Sequence, residues 1–297
     1  MGLKSVIWIS ANGHQIDFLG TNGIRLLETP VGLGMTPWQW EQLPSPEGHG
    51  AMFTTAYAGV RTIQMMVLVY GPSFASRMAE LTAALNIGLG DGKLQVTRHD
   101  GVTRELVCRY ESGLEGANMN RMDASGLVVV DGMPQVGRWA VLPLQFRAAE
   151  PFWMGEEMEV MLSPIEGEAF FPNLPLSLSP LGVWTSTAIN NPGDVIAWPV
   201  WTVRGPGEYL RIVNLDTEEA FALDYTLADN EIITIDTRPG RKSVSSNLTG
   251  DLWRYVTEWR MWPLGAGTTN IQVRFQNTEE SSAIIVRFRP RYVSLES

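Results

Sequence analysis

The sequence has a single cysteine, Cys108, among 297 residues, which excludes an internal disulfide and leaves no cysteine pair for a structural zinc site. Histidine is almost as scarce: His14, His49 and His99 lie far apart, and no HExxH spacing joins any two of them. Charge is sparse as well. Asp, Glu, Lys and Arg make up 18% of the chain, and 32 acidic against 22 basic side chains leave a net charge of −10. So acidic a chain is repelled by a phosphate backbone, and no nucleic-acid recognition is expected. No apolar run reaches the roughly 18 to 20 residues that span a bilayer. The opening MGLKSVIWIS has no long apolar stretch with a small-residue cleavage site. The expectation is a chain made and folded in the cytoplasm, with no membrane insertion and no cofactor.

Signatures of catalysis are missing too. GLGMTP and GLGDGK are glycine-rich but lack the spacing and lysine of a nucleotide cradle, and no GxSxG elbow occurs. Cys108, within RELVCRYE, reads as a small core residue of a strand and not as a nucleophile. A hydrolase needs only two carboxylates across a cleft. The available acids, however, group as solvated clusters (Glu156, Glu157 and Glu159; Glu218 and Glu219) or stand beside strands (Asp194, Asp224 and Asp236), where a carboxylate receives turn amides. No catalytic or metal residues are assigned, and a cell-wall hydrolase ranks third among the readings.

What the chain has in quantity is apolar surface: 44% hydrophobic residues and 11 tryptophans, a side chain favoured at buried interface centres. Its length suits two domains. Short strands flank the Asn12-Gly13 turn, a preferred tight-hairpin pair. From Gly20 to Gly50 the chain is rich in Gly and Pro with little periodicity, and reads as an arm that wraps a neighbour or is otherwise ordered. Trp38 and Trp40, on one side if extended, would anchor that arm or cover the domain's own core. RTIQMMVLVYG is a strong strand. Ser73 then opens a helix through about Leu85, with Phe74, Met78, Leu81 and Leu85 on one stripe. GKLQVTR and TRELVCRYE flank His99-Asp100-Gly101 as a hairpin, and strands follow at 127–130 and 139–147, where Pro143 suggests an edge or bulge. This N-terminal domain, 1–153, is expected to be a sheet or sandwich with one packed helix, followed by a Pro-rich bridge at 154–189.

From 190 to 297 short strands alternate with compact turns at the spacing of a jelly-roll β-sandwich. The run DLWRYVTEWRMWPL fits a helical turn or a loop closing one end. Trp198, Trp253, Trp259 and Trp262 are candidates for facing a sugar or a partner. Trp198 and Trp201 have odd spacing, so at least one of them belongs to the core. Arg287, Arg289 and Arg291 alternate along the last strand and are candidates for an interface face.

Several segments together resemble the distal tail proteins of long-tailed, siphovirus-type bacteriophages and prophages, in the actinobacterial phage branch. They are GLE at 113–115, FRAAEPFW at 146–153, NPGDVIAWPVWTVRGPG at 191–207, ITIDTRPGRKSV at 233–244, MWPL at 261–264 and the final VRFRPRYVSLES. The two long pieces in the C-terminal half are the more specific, and the resemblance covers nearly the whole chain. It implies an N-terminal domain that closes six copies into a ring, with a C-terminal galectin-like sandwich outside it. By the same resemblance the ring joins the tail tube to the tail tip, near the tape-measure protein and the tail-associated lysin or receptor-binding protein. The virion would be its destination, and a host surface carbohydrate a further partner of the outer domain. A free carbohydrate-binding protein is the alternative reading.

Overall fold

A computed structural model describes residues 2–45, 48–114, 126–130, 133–137, 139–162 and 184–297. The chain forms two compact units, one of Met1–Gly155 together with the C-terminal Tyr292–Ser297, the other of Glu156–Arg291. Each buries its own apolar cluster. Both are built mainly of strands, and the described residues contain one α-helix.

The first unit comprises β1 (Leu3–Ile9), β2 (Gln15–Asp17), β3 (Ile24–Leu26), β4 (Trp38–Pro44), β5 (Ala51–Ala58), β6 (Arg61–Tyr70), α1 (Phe74–Ala84), β7 (Gly92–Arg98), β8 (Thr103–Ser112), β9 (Gly126–Val130), β10 (Met133–Gly137), β11 (Trp139–Ala148) and β12 (Trp153–Met154). Its main sheet runs in the order β2-β1-β7-β8-β11-β6-β3, antiparallel throughout. Three strand spacings separate β1 from β11, about 14 Å in a flat sheet. Yet the rings of Trp8 on β1 and Phe146 on β11 lie 4.9 Å apart, so the sheet curls and its flanks face each other across the core. Strand β6 alternates buried and open residues in its first half and is buried on both sides from Val67 to Tyr70, as an inner strand covered on two faces requires.

Helix α1 buries Phe74, Met78, Leu81 and Ala84, at the spacing its sequence predicts. Ser73 occupies the N-cap position but makes no side-chain capping bond; the helix is held by its apolar stripe and by Trp8, whose indole donates to the Ala84 carbonyl at 2.8 Å. Of the edge or bulge suggested by Pro143, strand β11 is not an edge but an inner strand with an irregular ladder. Its ladder to β8 covers only Gln145 to Arg147 and contains a register shift, so the missing proline amide has no partner to disappoint on that side. Cys108 is buried in the core, and burial pushes its thiol up to about 12, which removes it as a nucleophile at neutral pH.

The second unit comprises β13 (Met158–Leu162), β14 (Thr185–Asn191), β15 (Val200–Arg204), β16 (Gly207–Asn214), β17 (Ala220–Leu227), β18 (Ile232–Asp236), β19 (Ser243–Ser246), β20 (Gly250–Asp251), β21 (Val256–Trp259), β22 (Gly267–Gln276), β23 (Ala283–Phe288) and the start of β24 (Arg291–Tyr292). Two antiparallel sheets pack together, β13-β23-β15-β18-β19-β20 and β14-β22-β16-β17-β21. Alternation along the strands turns Trp201, Val203, Ile233, Ile235, Ile284 and Val286 of one sheet toward Leu210, Ile212, Phe221, Leu223, Ile271 and Val273 of the other. Each such side chain stabilises the fold by about 1.5–3 kcal/mol through burial. Of the expected bridge, Met158–Leu162 and Thr185–Asn191 are strands of this unit, and 163–183 lie outside the described residues.

Candidate functional site

Within the Gly20–Gly50 stretch and just beyond it, β4 and β5 form a hairpin of their own, paired to no other strand among the described residues. Every residue of the two strands is exposed except Ala58, which is half-buried. The register sets Trp38 opposite Ala58, Trp40 opposite Ala56 and, beyond a shift at Glu41/Gln42, Gln42 opposite Phe53 and Leu43 opposite Met52. Period-two alternation then puts Trp38, Trp40 and Phe53 on one face and Leu43, Met52 and Tyr57 on the other. The Trp40 and Phe53 rings touch at 5.5 Å between centroids. Both faces are therefore apolar and both reach solvent, with Trp40 62% and Phe53 72% exposed. Neither Trp38 nor Trp40 covers the core.

The root of the hairpin is fixed as firmly as its shaft is bare. Arg61, at the start of β6, is buried, and its guanidinium donates to the carbonyls of Pro151, Gly32, Gly34 and Val293 and to the Thr36 hydroxyl. Thr36 in turn donates both its amide and its hydroxyl to Val293, and the Gly59 amide closes the hairpin base on the Pro37 carbonyl. Gly32 has a positive φ of 94°, and a Cβ there would meet the Thr62 carbonyl oxygen at 2.1 Å, so only glycine lets the strap pass beneath β6. An isolated two-stranded hairpin is marginal in water. One with two open edges, apolar faces and no lysine is a surface for another chain.

The remaining candidates divide. Arg287, on β23, donates to Glu159 at 2.8 Å, and Arg291 donates to the Ile196 carbonyl at 2.8 Å, while Arg289 falls past the end of β23. At least two of the three are thus engaged within their own unit. Trp262 is buried and packs edge-on against Trp201 at 5.8 Å, so it belongs to the sandwich core and faces neither sugar nor partner. Trp198 is half-buried; Trp253 and Trp259 are exposed, with the Arg260 guanidinium 4.9 Å from the Trp259 ring. Two of the acids considered for catalysis are occupied structurally: Glu159 by Arg287, and Asp236 by Arg238, which together with its own amide holds that carboxyl below the usual range against the opposing effect of burial. Among the described residues no three His, Cys, Asp or Glu side chains assemble as a metal site, and no helix is long and apolar enough to cross a membrane.

The comparisons with known proteins divide sharply between sequence and structure. No family model and no curated protein matches the sequence. The fold does match. SPP1 Dit (gp 19.1), a hub of the adsorption apparatus in Gram-positive infecting phages, superposes with a TM-score of 0.63 at 14% identity, over 97% of this chain and 99% of that one. This chain shares the fold of a phage tail hub. The phage P2 baseplate in its activated, Ca-bound conformation gives 0.52 at 10% identity over 97% and 98% of the two chains, and the Sr-bound form 0.51 at 9% over 95% and 97%. Coverage above nine-tenths on both sides means that the order of both units is shared, not one domain alone. The hairpin had no sequence signal beyond its unusual length and its two tryptophans.

Proposed function

We propose that the protein is a structural hub at the distal end of a phage or prophage tail, made in the host cytoplasm and carried in the virion, with no catalytic role. Copies close into a ring, six by the family resemblance, that joins the tail tube to the tail tip and meets the tape-measure protein and a tail-associated lysin or receptor-binding protein. The first unit forms the ring, and the second is its outer, galectin-like domain. The carrying observation is the hairpin Trp38–Ala58: a two-faced apolar ribbon on a rooted base, within a fold shared end to end with a hub protein. A ring requires a head-to-tail contact in which one surface of each copy is buried by the next. The hairpin supplies such a surface and loses its open edges in doing so. Native mass spectrometry and electron microscopy of the purified chain with its tail partners test this; rings with a central opening are expected, and monomers alone would sink it.

A second reading is favoured by one observation: Trp253 and Trp259 present exposed indoles on the second unit, as a module for host surface carbohydrate would. In that reading the chain acts as a free binder. Saturable binding on a glycan array, lost when Trp259 becomes Ala, would support it.

A further inference from the structure

On the outer face of the five-stranded sheet one cross-strand row reads Arg274 on β22, Arg211 on β16, Ala222 on β17 and Glu258 on β21. Two arginines directly opposite each other repel unless something lies between them. Arg211 resolves its own share by leaning away: across the small Ala222 side chain its Nε and Nη2 donate to the two carboxylate oxygens of Glu258 at 2.6 and 3.0 Å. Glu258 is thereby occupied in a two-pronged bond, and Arg274 is left over. Its Nε is shielded from solvent without a hydrogen-bond partner, and its guanidinium has no ion-pair partner among the described residues. A guanidinium left without protein acceptors is an incomplete arrangement, which an anion meeting its outer nitrogens would complete.

The surroundings are built unusually for a plain sheet face. Beside this row β16 shifts register against both neighbours between Glu208 and Arg211, and Tyr209 within the shift has a φ of 49°, a left-handed conformation that strains a bulky residue. In the next row Ser186 and Gln272 stand opposite each other, and Gln276 is exposed two positions beyond Arg274. Hydroxyl and amide groups thus flank a cationic fork.

We propose that this face binds an oxyanion, a phosphate or carboxylate group carried on a polyhydroxy molecule, with Arg274 taking the charge and Gln272, Gln276 and Ser186 the hydroxyls. Arginine suits the task because its planar fork meets two oxygens at once. The site is independent of the tail-hub reading and of the exposed tryptophans.

The test is calorimetric titration of the full chain with inorganic phosphate, glycerol 1-phosphate and glucuronate, with glycerol as the neutral control. Saturable one-to-one binding of an anionic probe but not of glycerol is expected, and the preferred probe separates phosphate from carboxylate as the source. Arg274→Met, which keeps the aliphatic stem, should weaken that binding about tenfold or more. Should that variant fail to fold, Arg274→Lys, which keeps the charge and loses the fork, should weaken it by a smaller factor. Absence of saturable binding in the unaltered chain, or equal binding by the substituted and unaltered chains, overturns the proposal. So does a change in self-association alone, which would make this face a contact between copies.

Discussion

Arg61 and Val293 are 232 positions apart, and the Arg61 guanidinium donates to the Val293 carbonyl at 2.8 Å. The same group bonds Gly32, Gly34, Thr36 and Pro151, so one side chain ties the hairpin's strap, the end of β11's following segment and the C-terminal return to the start of β6. Burial lowers its pKa to about 10, and it stays cationic at neutral pH with carbonyl oxygens as its solvation shell and the Trp153 ring 5.7 Å away. Arg61→Met would orphan several buried acceptors. We expect a loss of about 3 kcal/mol or more from the first unit, read by urea unfolding. Arg61→Lys should recover little, since one ammonium cannot span acceptors placed for a fork. A loss under about 1 kcal/mol would mean that water replaces the guanidinium.

The parts legible in the sequence were those whose pattern is local. The stripe of α1, the β7–β8 hairpin and the short strands of the second unit all bury one face, and burial writes periodicity into sequence. The β4–β5 hairpin buries neither face within its own chain, so AMFTTAYA shows no alternation and the stretch from Gly20 reads as an irregular arm. Trp259 and Trp262 are three positions apart, yet one is exposed at the end of β21 and the other is in the core. Composition could mark both as candidates but could not separate them. Arg61 resembles any polar residue opening a strand, because its acceptors, four backbone carbonyls and the Thr36 hydroxyl, come from distant segments. The unpaired Arg274 is equally invisible, since its isolation depends on where Arg211 turns.

The C-terminal return makes a separable prediction. Leu295 is fully buried in the first unit, its amide donates to Leu33, and Arg98 donates to the carbonyls of Leu295 and Glu296. Leu295→Ala should cost about 2–4 kcal/mol. The loss should fall on the first unit alone, with amide exchange speeding in β1, β7 and β8 while β15 and β22 stay protected. Equal loosening in both units would show that they unfold together.

Replacing Trp38 and Trp40 with Ala removes exposed surface from the isolated chain but buried surface from an assembled one. Unfolding of the monomer should change by less than about 1 kcal/mol. Ring formation, followed by light scattering against concentration, should weaken by a factor of about 100 or more, as for two interface anchors. Phe53→Ala, which strips the partner ring from Trp40, should act in the same direction. Parallel losses in both measurements would place the indoles in the fold's own stability.

Glu231 gives the second unit an acid-sensitive joint. Burial by itself would raise its carboxyl pKa, but donation from the Ser246 hydroxyl, the Ala228 amide and the Tyr225 and Thr249 hydroxyls outweighs it, and the folded value lies below the usual one. A depressed folded value means that the unfolded chain takes up the proton first as pH falls. The contribution is therefore complete above the ordinary carboxylate range near ~4.3 and disappears as pH drops through the lower folded value. The melting temperature of the second unit should hold between pH 7 and 5 and then fall steeply. Glu231→Gln keeps the shape and loses the charge, so its melting temperature should be lower at pH 7 and flatter below pH 5. An unchanged acid slope in that variant would assign the sensitivity to other carboxylates, Asp236 first among them.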